Sequence, residues 1–179
     1  PTADFPNCIA FGKTAEFLEK YGKNYTVDDI GKLWLDILPY ACTAEEEALE
    51  QLKAGTRAEC AANFNRYVEW IGAAIRADAF GYAEAGNPAA AAQLSYNDAY
   101  LTHRKNGIYG EMFAAAMIAQ AAVETDIQKI IEAGLAQVPA TSRLYEAVMK
   151  VMNGYRSGMT QQACHEMIHA EWDERQSHD

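Results

Sequence analysis

Long apolar runs are missing from this sequence. Its longest weakly polar stretch, residues 113–123, is interrupted by Gln120, and an α-helix needs roughly 20 apolar residues to cross a bilayer. We therefore expect no membrane span. Half of the 179 residues are apolar, which is enough for one domain with a single continuous core.

Basic residues and cysteines are also few. Fifteen Lys and Arg residues stand against 25 Asp and Glu residues, and the formal net charge is -10. This charge repels a phosphate backbone, so nucleic acid is disfavoured as the main partner, although a small anion can still bind locally. The four cysteines are scattered, show no C-x-x-C spacing and follow no secretory signal, which favours a reduced, cytoplasmic setting.

Neither end of the sequence carries a residue pattern that is typical of a domain boundary. The chain begins at Pro1 without a methionine and ends on the polar run 176–179. We interpret residues 1–179 as a single helical domain that is part of a longer one. A processed but complete protein is the alternative.

Strand patterns are missing as well, since no β-branched alternation lies between hairpin turns and no segment repeats at a fixed period. Helix caps recur instead, and the sequence predicts an all-α, irregular orthogonal bundle. The predicted helix starts follow Thr26, Thr43, Asn87, Thr125 with Asp126, Ser142 and Thr160, and a first helix is expected over Asn7–Tyr21. The predicted ranges include Val27–Leu38, Pro88–Tyr100 and Gly110–Val123, the last as the central buried helix.

The second of these starts, at Thr43, carries two further expectations. Thr43 and Glu46 have the spacing of a capping box, in which each side chain bonds the other's backbone amide. The acidic run Glu45–Glu47 then lies in the first turn, where the helix dipole favours negative charge. We expect these three glutamates to be solvated.

One short motif, His165-Glu166-Met167-Ile168-His169, matches the H-E-x-x-H pattern of zinc hydrolases. On a helix both histidines share one face and could hold Zn²⁺ while Glu166 activates water. A third ligand is needed, and His178 alone follows, at an unfamiliar spacing. The competing interpretation is that His169 packs partly buried and His165 faces water.

Two glycine-containing segments are explained neither by capping nor by core packing alone. In Trp70–Tyr82, small residues allow a ligand or another helix to approach, and Arg76 can recognise a phosphate or pair with a carboxylate. In Leu101–Met112, His103 and two further basic residues precede a helix whose free amides can meet an anion. Helix packing and a simple turn are the alternatives.

These segments resemble the ADP-ribosylglycohydrolase family. The family's longer bacterial members carry W-I-G-A-x-I-R-A-D-x-F-G-Y, then a K-N-G-I-Y-G-E-M-like stretch, then G-L-A-Q-x-P-A-x-S-R-L. This chain has the three in the same order, at Trp70–Tyr82, Leu101–Met112 and Gly134–Leu144. We refer to them as the first, second and third motif segments.

The resemblance implies an all-α fold around a cleft with two Mg²⁺ ions and an ADP-ribose group, and hydrolysis of the glycosidic bond to a modified target. It implies ligand-binding roles for Gly72, Arg76, His103, Gly107 and Tyr109. The bulky Trp70 and Ile71 replace the Gly-Asn of other branches, so we expect a pocket of different shape from theirs.

The family's metal-binding acids transfer poorly. Its first acidic motif, D-D-T, aligns with Asp4-Phe5-Pro6, so Asp4 is the one metal ligand that carries over. Its second acidic motif belongs downstream of the segment around His169. We therefore expect a magnesium site that is incomplete here.

The leading hypothesis is thus a fragment of an ADP-ribosylglycohydrolase that is inactive as this isolated chain. Its partners would be ADP-ribose or an ADP-ribosylated target, and a complementary chain or missing segment. A non-catalytic helical nucleotide-binding or assembly module and the zinc hydrolase are the alternatives. No catalytic residue is assigned.

Overall fold

The computed structural model of the chain describes residues 16–172. Within this range the secondary structure is helical and no strand occurs, so the all-α prediction is confirmed. The helices are α1 (residues 16–21), α2 (Val27–Ile37), α3 (Thr43–Lys53), α4 (Asp78–Ala83), α5 (Pro88–Ala99), α6 (Asn106–Ala121), α7 (Ile127–Leu135), α8 (Arg143–Arg156) and α9 (Gln161–Glu171). Short 3₁₀ turns occur at Gly22–Asn24, Ala58–Cys60 and Ala74–Arg76.

Most of the predicted caps begin their helices. The side chain of each accepts a hydrogen bond from a backbone amide in the first turn, which satisfies one of the donors that a helix start leaves free. The pairs are Thr26 with Asp29, Asn87 with Ala90, Asp126 with Gln128, Ser142 with Tyr145 and Thr160 with Ala163.

The start of α3 differs from the prediction. Cys42 is the cap residue, its side chain makes no capping hydrogen bond, and Thr43 is the first helical residue with φ of 51°. The predicted capping box of Thr43 and Glu46 is therefore wrong. Glu45 is 3% exposed rather than solvated, because it faces a buried arginine described below.

Helix α6 is the central helix, as predicted. It packs against α4, α5, α7 and α8, and Ala115, Ala116 and Ala119 are fully buried along it. A Cβ atom at Gly81 of α4 would lie 2.5 Å from the side chain of Ile118, so a glycine is needed for the two helices to approach. The helix begins at Asn106, four residues before the predicted start at Gly110, because Asn106 bonds to a neighbouring glutamate.

The main core lies between α1, α2, α3, α4 and α5. Its largest buried side chains are those of Trp34, Leu49, Phe80 and Leu101. A separate apolar cluster around Leu135 joins α7 and α8 to α6. In the described part of the chain, no helix is both long enough and apolar enough to span a bilayer.

Candidate functional site

The three motif segments meet at one surface groove of about 960 Å³. The first segment contributes Trp70, Ile71 and Ala74; the second contributes Asn106, Gly107 and Gly110; the third contributes Arg143 and Leu144. Residues distant in sequence become neighbours because α6 begins between the 3₁₀ turn at Ala74–Arg76 and the start of α8. We call this space the motif groove.

A single carboxylate joins the walls at the polar end of the motif groove. Glu69 Oε2 accepts hydrogen bonds from the backbone amide of Asn106 (3.3 Å), its Nδ2 (2.7 Å) and Arg143 Nη2 (2.6 Å). Asn106 Oδ1 in turn accepts from the amide of Leu144 at 3.1 Å, and Lys105 Nζ lies 3.9 Å from Glu69 Oε1. Partial burial raises the pKa of Glu69, but donors on Asn106 and Arg143 outweigh it and hold the pKa below its usual range.

The other end of the motif groove is apolar and aromatic. Trp70, Phe113, Met117 and Trp172 line it. Trp172 is 40% exposed, so its ring is accessible. Flat π-faces of this kind can stack against a planar group such as a nucleobase.

Behind the wall of the motif groove, the guanidinium of Arg76 lies in a buried charge cluster. Its side chain is 2% exposed, and Nη1 lies 2.7 Å from Glu45 Oε1. Both Nε (2.8 Å) and Nη2 (2.7 Å) reach Asp98 Oδ2. The guanidinium also donates to Thr102 Oγ1 at 3.3 Å and lies 5.3 Å from the ring centre of Trp34.

Three carboxylates surround this one cation, so they compete for it. Burial raises the pKa of Glu45, against the lowering effect of Arg76. Burial and the neighbouring Asp98 raise the pKa of Glu111 well above its usual range. The guanidinium of Arg76 thus pairs closely with Glu45 and Asp98, whereas Glu111 Oε2 lies 3.9 Å away.

His103 is also enclosed. Its side chain is fully buried and its Nδ1 lies 2.6 Å from Thr102 Oγ1. Burial, together with the positive charges of Arg76 and Arg104, lowers the pKa of His103 to about 3. The imidazole is therefore neutral at physiological pH.

Two motif glycines make room for these groups. A Cβ atom at Gly72 would lie 2.2 Å from Glu45 Oε1, and one at Gly107 would lie 2.3 Å from the carbonyl oxygen of Val68. Neither approach is possible with a larger residue. Close packing against Glu45 therefore accounts for glycine at position 72.

A sequence model of the ADP-ribosylglycohydrolase family matches residues 11–176 of the 179-residue chain. The chain belongs to the ADP-ribosylglycohydrolase family. All three motif segments lie inside the matched region, and the all-α architecture agrees with that of the family. No curated protein and no solved structure gives a significant match.

The residues that the ADP-ribosylglycohydrolase resemblance implies are not all at the motif groove. Gly107 lines it, whereas Tyr109 is half-buried between two apolar clusters. Arg76 and His103 lie behind the wall without reaching the surface, and Arg76 pairs with carboxylates, one of its two predicted roles. Ligand contact by Gly72, Arg76, His103, Gly107 and Tyr109 stays a prediction.

The buried acids of this member of the ADP-ribosylglycohydrolase family were missed from the sequence. Asp98 and Glu111 stand in alanine-rich helical stretches on faces that are otherwise apolar. A charge on such a face was the available signal, because a buried ion needs a partner. Glu69 was missed too, since nothing in its neighbourhood indicates contact with Arg143, 74 residues away.

The H-E-x-x-H motif lies on α9 at the surface. His165 Nε2 and His169 Nε2 are 3.0 Å apart, and Glu166 accepts a hydrogen bond from Gln162 at 2.8 Å. His169 is exposed rather than partly buried, so that part of the competing interpretation is wrong. His178 lies outside the described residues.

The described residues do not fit a binuclear magnesium site. Across residues 16–172, no group of three or more His, Cys, Asp or Glu side chains is arranged to hold a metal ion. Three carboxylates do converge, those of Glu45, Asp98 and Glu111, but they converge on the buried guanidinium of Arg76. Asp4 lies outside the described residues, so its role as a magnesium ligand stays a prediction.

Proposed function

We propose that this ADP-ribosylglycohydrolase-family chain binds the ADP-ribosyl group of a modified target in the motif groove. The convergence of the three motif segments supports the proposal. These are the stretches that carry the family resemblance, and each supplies groove-lining residues.

The chemistry of the motif groove suits such a group. ADP-ribose combines a flat adenine, hydroxylated sugars and a doubly charged diphosphate. The aromatic end, with Trp70 and Trp172, offers surfaces for stacking. The polar end offers the cations of Arg143 and Lys105 and the positive end of the α6 dipole.

We propose further that residues 16–172 bind this group without hydrolysing the glycosidic bond. Within that range Glu69 is the one acid lining the motif groove, and it is already bonded to Asn106 and Arg143. The family reaction needs several acids converging on hard cations, and those described here do not converge in that way. Turnover would therefore depend on Asp4 and on acids supplied from elsewhere.

Calorimetry with ADP-ribose tests the binding step. We expect Arg143→Gln to weaken affinity several-fold, because a charge-assisted hydrogen bond to a phosphate is lost. Arg156→Gln is the matched control, since Arg156 lies on the same helix but bonds to Gln128 and Glu132. Wild-type protein without affinity for ADP-ribose, or equal losses in both variants, would show that the groove is not the site.

A release assay tests the catalytic step separately. We expect no release of ADP-ribose from ADP-ribosylated arginine or serine peptides in the presence of Mg²⁺. Turnover that disappears in Asp4→Ala would refute this expectation and restore a working metal site. The same peptides, used as binding ligands, would identify the class of target.

A further inference from the structure

We propose that Glu69 is the counter-ion of Arg143 and that a diphosphate takes its place as the partner of this cation, so that Glu69 sets the affinity of the motif groove for doubly charged ligands. The proposal rests on the proposed function. The counter-ion proposal goes beyond the proposed function because it assigns the exchange of one ion pair to Glu69, a residue that the family motifs do not include.

The arrangement of donors around Glu69 makes the exchange possible. Glu69 is 18% exposed, whereas Arg143 is 67% and Lys105 is 76% exposed. The carboxylate thus lies behind the cations as seen from solvent. If Arg143 turns towards a ligand, Glu69 keeps both hydrogen bonds from Asn106, so the cation moves and the carboxylate stays in place.

The charge balance explains why a doubly charged ligand is needed. Glu69, Arg143 and Lys105 together carry a net charge of +1 at neutral pH, from two cations and one anion. A neutral nucleoside has nothing to exchange for the carboxylate. A diphosphate offers two charges and several acceptor oxygens to the same cations, which outweighs the single carboxylate that it replaces.

Glu69 also has a role when the motif groove is empty. Its carboxylate bonds both the start of α6, through Asn106, and the start of α8, through Arg143. It therefore joins two walls of the groove. A purely structural role and the counter-ion role predict opposite effects of removing its charge on ligand affinity, and this difference provides the test.

The test is Glu69→Gln, which keeps the shape of the side chain and one oxygen that can accept from Asn106. We expect the affinity for ADP-ribose to rise about three- to tenfold, because the competing charge is gone, while the affinity for adenosine changes less than twofold. The melting temperature should fall, since the ion pair to Arg143 is lost. Glu146→Gln is the matched control, because Glu146 is exposed in the first turn of α8; its affinities should stay within twofold of wild type.

The outcomes separate the two proposals. Wild-type binding of ADP-ribose with equal or weaker binding by Glu69→Gln overturns the counter-ion role and leaves the proposed function standing. Absence of binding by both proteins overturns both proposals. If the variant does not fold, side-chain NMR of Arg143 in the wild-type protein decides: its guanidinium signals should shift with ADP-ribose and not with adenosine, and unchanged signals at saturating ADP-ribose would contradict the exchange.

Discussion

Adding one methyl group at Gly72 should break the buried charge cluster. The Cβ atom of Gly72→Ala would lie 2.2 Å and 2.7 Å from the two carboxylate oxygens of Glu45, so the carboxylate must leave Arg76, which it contacts at 2.7 Å. Loss of one partner from a buried ion pair costs about 3 to 5 kcal/mol. Because Arg76 keeps Asp98, we expect about 3 kcal/mol.

Urea unfolding and thermal melting measure this loss. For a chain of this length, 1 kcal/mol shifts the melting temperature by roughly 2 to 4 °C, so Gly72→Ala should melt roughly 6 to 12 °C below wild type. Gly110→Ala is the control. Its Cβ would meet Ala74 Cβ at an ordinary 3.4 Å, and alanine inside a helix is favoured by about 0.5 to 1 kcal/mol over glycine.

A double-mutant cycle tests the cause of the loss. In a Glu45→Ala background the carboxylate is gone, so adding Gly72→Ala should cost less than about 1 kcal/mol. Equal stability of Gly72→Ala and Gly110→Ala in the wild-type background would refute the packing argument. Full additivity in the cycle would refute the role of Glu45.

Three further predictions concern other parts of the molecule. Burial and Asp98 raise the pKa of Glu111, so the contribution of Glu111 to stability is full below the unfolded pKa and is lost as pH rises through the folded pKa. In urea unfolding, Glu111→Gln should therefore be more stable than wild type at pH 7.5, with a smaller difference at pH 5. A difference that does not depend on pH would contradict this. Lys105 has φ 48° and ψ -124°, a conformation that favours glycine, so Lys105→Gly should raise the free energy of unfolding by about 1 kcal/mol; a loss of stability would count against strain. His165 and His169 should hold no stoichiometric zinc, because the described residues supply no third ligand; elemental analysis that finds one zinc per chain, lost in His165→Ala, would revive the zinc-hydrolase alternative.

Local chemistry explains which parts of the fold could be predicted. The caps at Thr26, Asn87, Ser142 and Thr160 satisfy amides within three residues, so a short window of sequence contains both partners. Thr43 has the same sequence pattern and fails, because the chain enters α3 with a positive φ at that residue. The entry angle is set by how α3 packs, which no local window contains.

Side-chain direction explains why the site was predicted only in outline. The motif segments were identified together, yet Trp70 and Asn106 face the motif groove while Arg76 and His103 face the interior. The chain around the first motif runs through turns and a 3₁₀ turn at Ala74–Arg76. Successive side chains in such turns have a different angular spacing from those of an α-helix, so a helical pattern assigns the side chains of this segment to the wrong face.

Burial of Glu45 was unpredictable for a different reason. Its partner Arg76 lies 31 residues away, and an acidic residue in the first turn of a helix is usually solvated because the dipole favours it there. The tertiary ion pair overrides that preference. Its sequence neighbours Glu46 and Glu47 are not buried, so the run of three glutamates divides between the interior and the surface.

The three tryptophans provide the test of where ADP-ribose binds. Trp70 and Trp172 line the motif groove, whereas Trp34 is 2% exposed in the core. Titration of ¹⁵N-labelled protein with ADP-ribose should shift the indole signals of Trp70 and Trp172 and leave that of Trp34 in place. Groove signals that stay unchanged at saturating ADP-ribose, or a shift confined to Trp34, would contradict binding in the motif groove.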